Sequence, residues 1–194
     1  MLPVTASICL FCGARSGDDP GLADAARRTG RLLARNGWRL VFGAGDIGLM
    51  GEAARAAQAA GGQTLGVIPQ HLMPRERRLQ AGPEDGRAQL LVTETMHERK
   101  KVMFTNSDAV IVLPGGAGTL DEFFEVLTWA QIGLHAKPIM LIDAGGYWQP
   151  LIALIDHVIA RGFADPSLRD LFITVPDIAA LEAALRRCLP AHHE

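Results

Sequence analysis

Hydrophobic residues in this chain form short runs rich in β-branched side chains, and these runs alternate with longer amphipathic stretches. Such runs are typical of strands that are covered on both faces. They predict strands at residues 6–11, 38–42, 64–68, 89–93, 108–113, 138–142 and 172–175. Helical periodicity with start and stop signals predicts helices that end near residues 36 and 60, and further helices over 96–106, 119–132, 147–161 and 177–188.

The alternation of strands and helices predicts the fold class. Strands separated by helices at this spacing form a parallel sheet with helices on both faces, so we expect an α/β, doubly wound, Rossmann-like fold. With 194 residues, we expect a single domain over 1–194. The segment 69–87 is different, because it loses periodicity around Pro74, Gly82 and Pro83. We interpret it as an irregular active-site loop or a poorly ordered segment.

Composition excludes several classes of protein. The net charge is −2 and the pI is near 6.3, so we expect no binding of nucleic acid or membrane. Cys9, Cys12 and Cys188 are too sparse and odd in number for a secreted disulfide scaffold. The N-terminus lacks the basic region of a signal peptide, and no apolar stretch approaches the ~18 residues that span a bilayer. We therefore expect a cytoplasmic protein.

The segment 114–122 joins a strand, a glycine loop and a carboxylate. It reads Pro-Gly-Gly-Ala-Gly-Thr-Leu-Asp-Glu and links strand 108–113 to helix 119–132. A strand that enters a helix through glycines leaves unpaired N–H groups at the helix start, and these groups together with the helix dipole form an anion site. The segment therefore predicts a phosphate-sized site with Glu122 beside it.

Helix capping is the alternative role for Glu122. Thr119 and Glu122 match a capping box, and Thr95 and Glu98 match the same pattern one helix earlier. We interpret Glu98 as a cap. For Glu122 the three upstream glycines favour a ligand, because close approach of a phosphate requires them and capping does not. Whether Glu122 also caps its helix stays open.

Positive charge is concentrated near the start of the helix over 96–106. Arg99, Lys100 and Lys101 lie where the helix dipole disfavours cations unless anions are near. The cluster therefore indicates an anionic neighbour, with a solvated helix face as the alternative. No group of His, Cys, Asp and Glu has metal-ligand spacing, so we expect no metal site.

Two further motifs have a purely structural alternative. Residues 43–48 fit the dinucleotide pattern G-x-G-x-x-G, but the acidic residue that should follow about 20 positions later is missing, so we expect no NAD site. Tight helix–sheet packing and a backbone wall of a nucleotide site remain, and we favour the wall. Cys9 and Cys12 fit C-x-x-C, yet they face opposite sides of a predicted strand, which argues against a redox role.

Residues 96–100 followed by 114–122 resemble the paired signature of the LOG ("lonely guy") family of cytokinin-activating phosphoribohydrolases. The resemblance runs from Ile8 to about Val175, through short motifs in family order at 11–13, 48–51, 66–69, 73–76 and 128–131. The family implies a Rossmann-like homodimer that needs no cofactor. It implies hydrolysis of the N-glycosidic bond of cytokinin riboside 5′-monophosphates, and often of AMP, to free base and ribose 5-phosphate.

The resemblance also implies site residues. Arg99 and Glu122 match the catalytic pair. Positions that match substrate-binding residues are Glu76, Lys100, Gly115, Gly116, Ala117, Gly118, Thr119, Leu120 and Asp121, with Gly13, Gly45 and Met96 as further candidates.

The chain departs from the family pattern at several positions. Ala14 and Arg15 stand where serines are common, while Ala44, Ala117 and Asp121 replace a glycine, a tyrosine and a glutamate. None of these positions belongs to the catalytic pair. We therefore expect the departures to bear on substrate preference more than on reaction type.

The chemistry of base release fits the two matched residues. Breaking a ribosyl C–N bond builds positive charge on the sugar, and a carboxylate beside C1′ can stabilise that charge, hold ribose hydroxyls or direct water. We assign that role to Glu122. Arg99 is permanently charged and a poor proton donor, so we expect it to orient Glu122 or to neutralise anionic groups of the substrate.

Two rival functions stay open at this point. A nucleotide or cofactor carrier with the same fold and loop would bind without hydrolysis, as molybdenum-cofactor carriers do. A lysine decarboxylase, a label that proteins of this family have often carried, needs a Schiff-base lysine. The chain has only Lys100, Lys101 and Lys137, none in a recognisable cofactor setting.

Overall fold

The computed structural model describes residues 4–76 and 86–189, and only the backbone of residues 75 and 76. The strands are β1 (Ala6–Phe11), β2 (Trp38–Phe42), β3 (Thr64–Pro69), β4 (Ala88–Thr93), β5 (Ala109–Val112), β6 (Ile139–Ile142) and β7 (Ile173–Val175). They form one sheet in the order β4-β3-β2-β1-β5-β6-β7, and every neighbouring pair is parallel. The predicted doubly wound α/β fold is confirmed.

Helices cover both faces of the sheet. They are α1 (Pro20–Arg35), α2 (Gly48–Ala59), α3 (Met73–Glu76), α4 (Met96–Thr105), α5 (Ala117–Gln131), α6 (Gln149–Ala160) and α7 (Ile178–Cys188). Apolar residues of α1, α2 and α7 join one core cluster, whereas those of α4, α5 and α6 join a second cluster. The sheet separates the two clusters.

Strand β1 shows how the sequence divides the core. Its residues are all buried, and successive side chains point to opposite faces. Ile8 and Leu10 therefore pack in the first cluster, while Cys9 and Phe11 pack in the second. Cys9 and Cys12 also fall in different clusters, as the strand argument against a redox pair predicted.

Helix capping differs between α4 and α5. At α4, the Thr95 hydroxyl accepts the Glu98 N–H at 3.1 Å and the Glu98 carboxylate accepts the Thr95 N–H at 3.2 Å, so the predicted capping box is confirmed. At α5 the predicted start at Thr119 is wrong, and the capping box that was the alternative role for Glu122 does not form. The helix begins two residues earlier than expected, because extended Gly116 is the N-cap and its carbonyl accepts the Leu120 N–H at 3.1 Å. Thr119 therefore lies inside the first turn.

The strand order reverses between β1 and β5. The chain leaves β1 for a helix on one face and leaves β5 for a helix on the other, so a crevice opens between the two loops. Ligands of open α/β sheets bind in such crevices, at the carboxyl ends of the strands.

The segment after β3 begins with a 3-10 turn (Gln70–Leu72) and the short helix α3. The rest of the predicted irregular segment, up to residue 85, lies outside the described residues. None of the helices in the described part of the chain has the length and apolar character that crossing a bilayer requires.

Candidate active site

A cavity of about 540 Å³ opens at the crevice between the β1 and β5 loops. This volume is in the range of small-molecule sites. The loop after β1 supplies one side and the segment 114–119 supplies another. The predicted residues that line the cavity are Gly13, Met96, Arg99, Gly115, Gly116, Ala117, Gly118, Thr119, Asp121 and Glu122. The structure thus brings together most of the residues that the sequence singled out.

The glycine loop packs closely against the loop after β1. The Gly13 N–H donates to the Pro114 carbonyl at 3.0 Å. A β-carbon at Gly115 would overlap the Thr119 side chain and approach the Gly13 nitrogen, so only glycine fits there. Gly118 is exposed, and a β-carbon on it would have no atom within 4 Å. Steric packing therefore explains the glycine at 115 but does not explain the one at 118.

The start of α5 presents its backbone to the cavity. No side chain caps this end of the helix, and the first N–H groups of an α-helix have no partner within the helix. These groups belong to Ala117, Gly118 and Thr119, all of which line the cavity. Together with the positive end of the helix dipole, they are suited to hold an anion such as a phosphate.

Arg99 lies buried at the cavity wall, with 5% of its surface exposed. Its Nε donates to the Val67 carbonyl at 3.2 Å and its Nη2 donates to the Gly43 carbonyl at 2.9 Å. Nη1 lies 3.9 Å from the Met96 sulfur. The guanidinium plane is therefore fixed by the ends of β2 and β3 before any substrate arrives.

Glu122 lies one turn into α5, on the same side as Gly118 and Thr119 because residues three and four apart share a helix face. It is partly buried and lines the cavity. Burial raises the pKa of the nearby Cys12 thiol, and the negative charge of Glu122 raises it further, while the charge of Arg99 lowers it. Both charges therefore act on one point of the cavity lining, where burial, assisted by the Glu122 charge, keeps Cys12 a neutral thiol.

Lys100 joins α4 to α5. Its ammonium group lies 3.0 Å from a carboxylate oxygen of Asp121 and 3.0 Å from one of Glu125. Burial alone would lower the pKa of Lys100, but hydrogen bonds to these two carboxylates raise it above its ordinary value. The anions that the sequence required near this cluster are thus side chains of the neighbouring helix, while Lys101 is exposed.

Four predicted contacts are not placed at the cavity. Gly45, Lys100 and Leu120 are not among its lining residues, and the side chain of Glu76 lies outside the described part of the chain. Gly45 is buried, and its N–H donates to the Met50 sulfur at 3.2 Å.

The contacts that the structure describes for the motif 43–48 are packing contacts, which was the alternative to the favoured nucleotide wall. A β-carbon at Gly43 would overlap the Arg99 guanidinium, and one at Gly48 would overlap the backbone of Ala14. The motif is absent from the cavity lining. Its first glycine admits a protein side chain, Arg99, in the place where a dinucleotide motif would admit a phosphate.

An apolar wall and one tyrosine were missed by the sequence reasoning. Leu22, Leu49, Met50 and Leu72 line the cavity but read in the sequence as ordinary core residues. Tyr147 also lines it, and its hydroxyl donates to the Gly115 carbonyl at 2.8 Å. Its position after β6, next to β5 at the same sheet edge, was a usable signal. Within the described residues, no group of three or more His, Cys, Asp or Glu could hold a metal ion.

Comparison with known proteins places the chain in a family. A family model described as "Possible lysine decarboxylase" matches residues 50–185. A cytokinin riboside 5′-monophosphate phosphoribohydrolase of Rhodococcoides fascians is 41% identical over 95% of this chain and 91% of that protein. The chain belongs to the LOG family. An Arabidopsis thaliana LOG enzyme of the same name is 40% identical over 95% of this chain and 84% of its own length. The resemblance inferred from residues 96–100 and 114–122 is confirmed.

Solved structures share the LOG-family fold at lower identity. A molybdenum cofactor carrier protein from Chlamydomonas reinhardtii matches with a TM-score of 0.69 and 22% identity, over 95% of this chain and 98% of that one. A molybdenum cofactor binding protein from Rippkaea orientalis gives a TM-score of 0.68 and 20% identity, over 98% and 99% of the two chains. At these identities the likeness shows the fold alone.

Proposed function

We propose that this LOG-family chain hydrolyses the N-glycosidic bond of cytokinin riboside 5′-monophosphates, and of AMP, to free base and ribose 5-phosphate. One observation carries the proposal. The open start of α5, the carboxylate of Glu122 one turn later and the fixed guanidinium of Arg99 line one cavity. An anion site, a carboxylate and a cation are the groups that base release from a nucleoside monophosphate requires.

The phosphate is assigned to the N–H groups at the start of α5. Phosphate bound there would anchor the ribose and turn binding energy into orientation of the reacting bond. Because Gly118 and Thr119 share a helix face with Glu122, the anchored sugar would lie against the carboxylate. This arrangement supports a preference for nucleotides over nucleosides that lack the phosphate.

Glu122 is assigned to the sugar. As the bond from C1′ to the base nitrogen breaks, its electron pair leaves with the base and positive charge grows on the ribose ring. The carboxylate would stabilise that charge and direct a water molecule to C1′. The water oxygen bonds to C1′, and a proton from the water ends on the departing base, so the products are ribose 5-phosphate and neutral base.

Arg99 is assigned a fixed electrostatic role. Two backbone carbonyls hold its guanidinium, so it needs no reorganisation during the reaction. A guanidinium does not release its proton in proteins, which excludes it as the acid that protonates the base. We assign Arg99 to orienting Glu122 and to neutralising anionic groups of the substrate.

The apolar wall is assigned to the base. Leu22, Leu49, Met50 and Leu72 give the cavity a side without formal charge, which suits a purine and an apolar substituent on it. We also propose that the protein is a cytoplasmic homodimer, as the family resemblance and the sparse cysteines lead us to expect.

The lysines do not support decarboxylation through a Schiff base. None of the three lines the cavity. Lys100 is ion-paired with Asp121 and Glu125, and the Lys137 ammonium donates to the Phe104 carbonyl at 2.7 Å and lies 4.0 Å from the centre of the Phe104 ring. Lys101 is exposed on α4. We therefore favour hydrolysis over the reaction named in the family description.

A panel of nucleotides tests the proposal. The protein is incubated with isopentenyladenosine 5′-monophosphate, AMP and other nucleoside monophosphates, and free base is measured by chromatography. The corresponding nucleosides serve as controls for phosphate dependence. We expect base release from the phosphorylated purines and little from the nucleosides. Tight nucleotide binding without any base release would support the carrier alternative instead.

A further inference from the structure

The loop after β6 reaches across to the glycine loop after β5. The Tyr147 hydroxyl donates to the Gly115 carbonyl at 2.8 Å, and both residues line the cavity. Tyr147 lies outside the segments that carry the LOG signature. The contact is therefore a separate observation about how this chain holds its glycine loop.

The turn that carries Tyr147 is itself well braced. Gly145 and Gly146 adopt positive φ values of 63° and 76°, which allow the tight turn. The Asp143 carboxylate accepts the Trp148 N–H at 2.6 Å and also the Gln149 side-chain amide. Trp148 is buried, and the Tyr147 ring packs edge-on against it with 4.8 Å between ring centres. The hydroxyl is thus held in place before a ligand binds.

Every carbonyl at the front of the loop accepts a hydrogen bond from the protein. The Pro114 carbonyl accepts the Gly13 N–H, the Gly115 carbonyl accepts the Tyr147 hydroxyl, and the Gly116 carbonyl accepts the Leu120 N–H. Of these three donors, only the Tyr147 hydroxyl belongs to a side chain. A free carbonyl oxygen at this site would repel a phosphate, so its direction affects anion binding.

The peptide between Gly115 and Gly116 needs such a tether. It has a glycine on each side, and glycine imposes the weakest restriction on backbone rotation of any residue. In a trans peptide the carbonyl and the next N–H point in opposite directions. Holding the Gly115 oxygen towards Tyr147 therefore also fixes the direction of the Gly116 N–H.

We propose that Tyr147 is a positioning residue for the substrate phosphate, because it holds the Gly115 carbonyl and so keeps the loop in its anion-binding conformation. The inference rests on the proposed function, since it takes the anion at this loop to be the 5′-phosphate of the substrate. It adds a residue of the neighbouring β6 loop to a site otherwise built from the loops after β1 and β5.

The Tyr147→Phe variant removes the hydroxyl and keeps the ring against Trp148. We expect the KM for AMP and the Kd for ribose 5-phosphate, measured by calorimetry, to rise about three- to tenfold, which corresponds to one neutral hydrogen bond. We expect kcat to change less than twofold, because the reacting groups are untouched. Thr105→Val is the matched control, since the Thr105 hydroxyl donates to the Lys101 carbonyl away from the cavity.

Wild-type KM and Kd values in Tyr147→Phe would overturn the inference while leaving the hydrolase proposal intact. Absence of base release by the wild-type protein, with weaker ribose 5-phosphate binding in the variant, would overturn the hydrolase proposal instead.

A second measurement needs no variant. Tyr147 is the only tyrosine in the chain, so tyrosine labelled with ¹³C at Cζ alone gives one ring signal. We expect saturating ribose 5-phosphate to shift that signal, and an unchanged signal would also overturn the inference.

Discussion

Two glycine motifs follow β2 and β5, the strands on either side of β1, and the two motifs have different roles. The motif at 43–48 follows β2 and is absent from the cavity lining, and its first glycine carries the Arg99 guanidinium on its carbonyl. The motif at 115–118 follows β5 and lines the cavity. A glycine allows another group to approach the backbone closely. The position of the motif in the sheet determines whether that group is a protein side chain or a ligand.

Among the changes that compare the two glycine motifs, the largest effect is expected from Gly43→Ala. The added methyl group overlaps the Arg99 guanidinium, which is buried and cannot move without leaving its carbonyl partners. We expect a loss of about 2 kcal/mol in the free energy of unfolding, from a hydrogen bond to a charged group. We also expect kcat/KM for AMP to fall about a hundredfold, because Arg99 is misplaced. Chemical denaturation and base-release assays measure the two effects, and full activity would contradict the packing role.

Gly118→Ala is expected to raise the stability of the protein and to weaken its binding of AMP. Gly118 lies within the first turn of α5 and a β-carbon there meets no atom within 4 Å, so alanine should stabilise the helix by about 0.5–1 kcal/mol. The methyl group would occupy space that we assign to the phosphate, and we expect the KM for AMP to rise about tenfold or more. Thermal unfolding and steady-state kinetics test this directly. A more stable protein with unchanged KM would show that the glycine is not kept for a ligand.

The smallest effect is expected from Lys100→Met, which asks whether Lys100 contacts substrate or only joins two helices. We expect a loss of about 1 kcal/mol at neutral pH, because one partner, Asp121, is largely exposed and its attraction is screened. We expect the KM for AMP to stay within about twofold, whereas a direct phosphate contact would raise it about tenfold.

The pH dependence of stability gives Lys100→Met a second readout. The folded-state pKa of Lys100 is raised above its ordinary value of 10.5, so the stabilisation is complete below that pH. It is lost as the pH rises through the folded-state pKa. The difference between wild type and variant in urea denaturation should therefore shrink in the alkaline range. A difference that grew with pH would contradict the sign of the shift.

Much of the fold could be predicted from the sequence because the apolar runs that indicate strands alternate regularly with the start and stop signals of helices. β1 and β2 match their predicted bounds, since each is a buried run ended by a glycine-containing turn. The start of α5 was predicted wrongly because Thr119 and Glu122 satisfy a capping pattern. In the structure Gly116 is the N-cap instead, so the helix begins before Thr119. A local pattern cannot show which of two candidate caps, three residues apart, begins the helix.

Site residues could be predicted from the sequence only where the residue type itself indicates a chemical role. Glu122 could be singled out because it follows a glycine loop, and Arg99 because it is a cation near a helix start, where the dipole disfavours positive charge. Leu49 and Met50 lie in the family motif 48–51, but they could not be assigned to the cavity, because an apolar residue facing a cavity looks like one facing the core. The Tyr147 contact depends on where β6 pairs in the sheet, which no single segment specifies.

The central claim is that the loop at 115–118 binds phosphate while Glu122 acts on the sugar, and Glu122→Gln tests it most directly. Glutamine keeps the size of the side chain and removes the charge. We expect base release from AMP to fall about a thousandfold, while the Kd for ribose 5-phosphate stays within about threefold of the wild-type value. Glu98→Gln is the matched control and should retain activity, because Glu98 caps α4 and glutamine can replace it there. Base release near the wild-type rate in a folded Glu122→Gln protein would contradict the account.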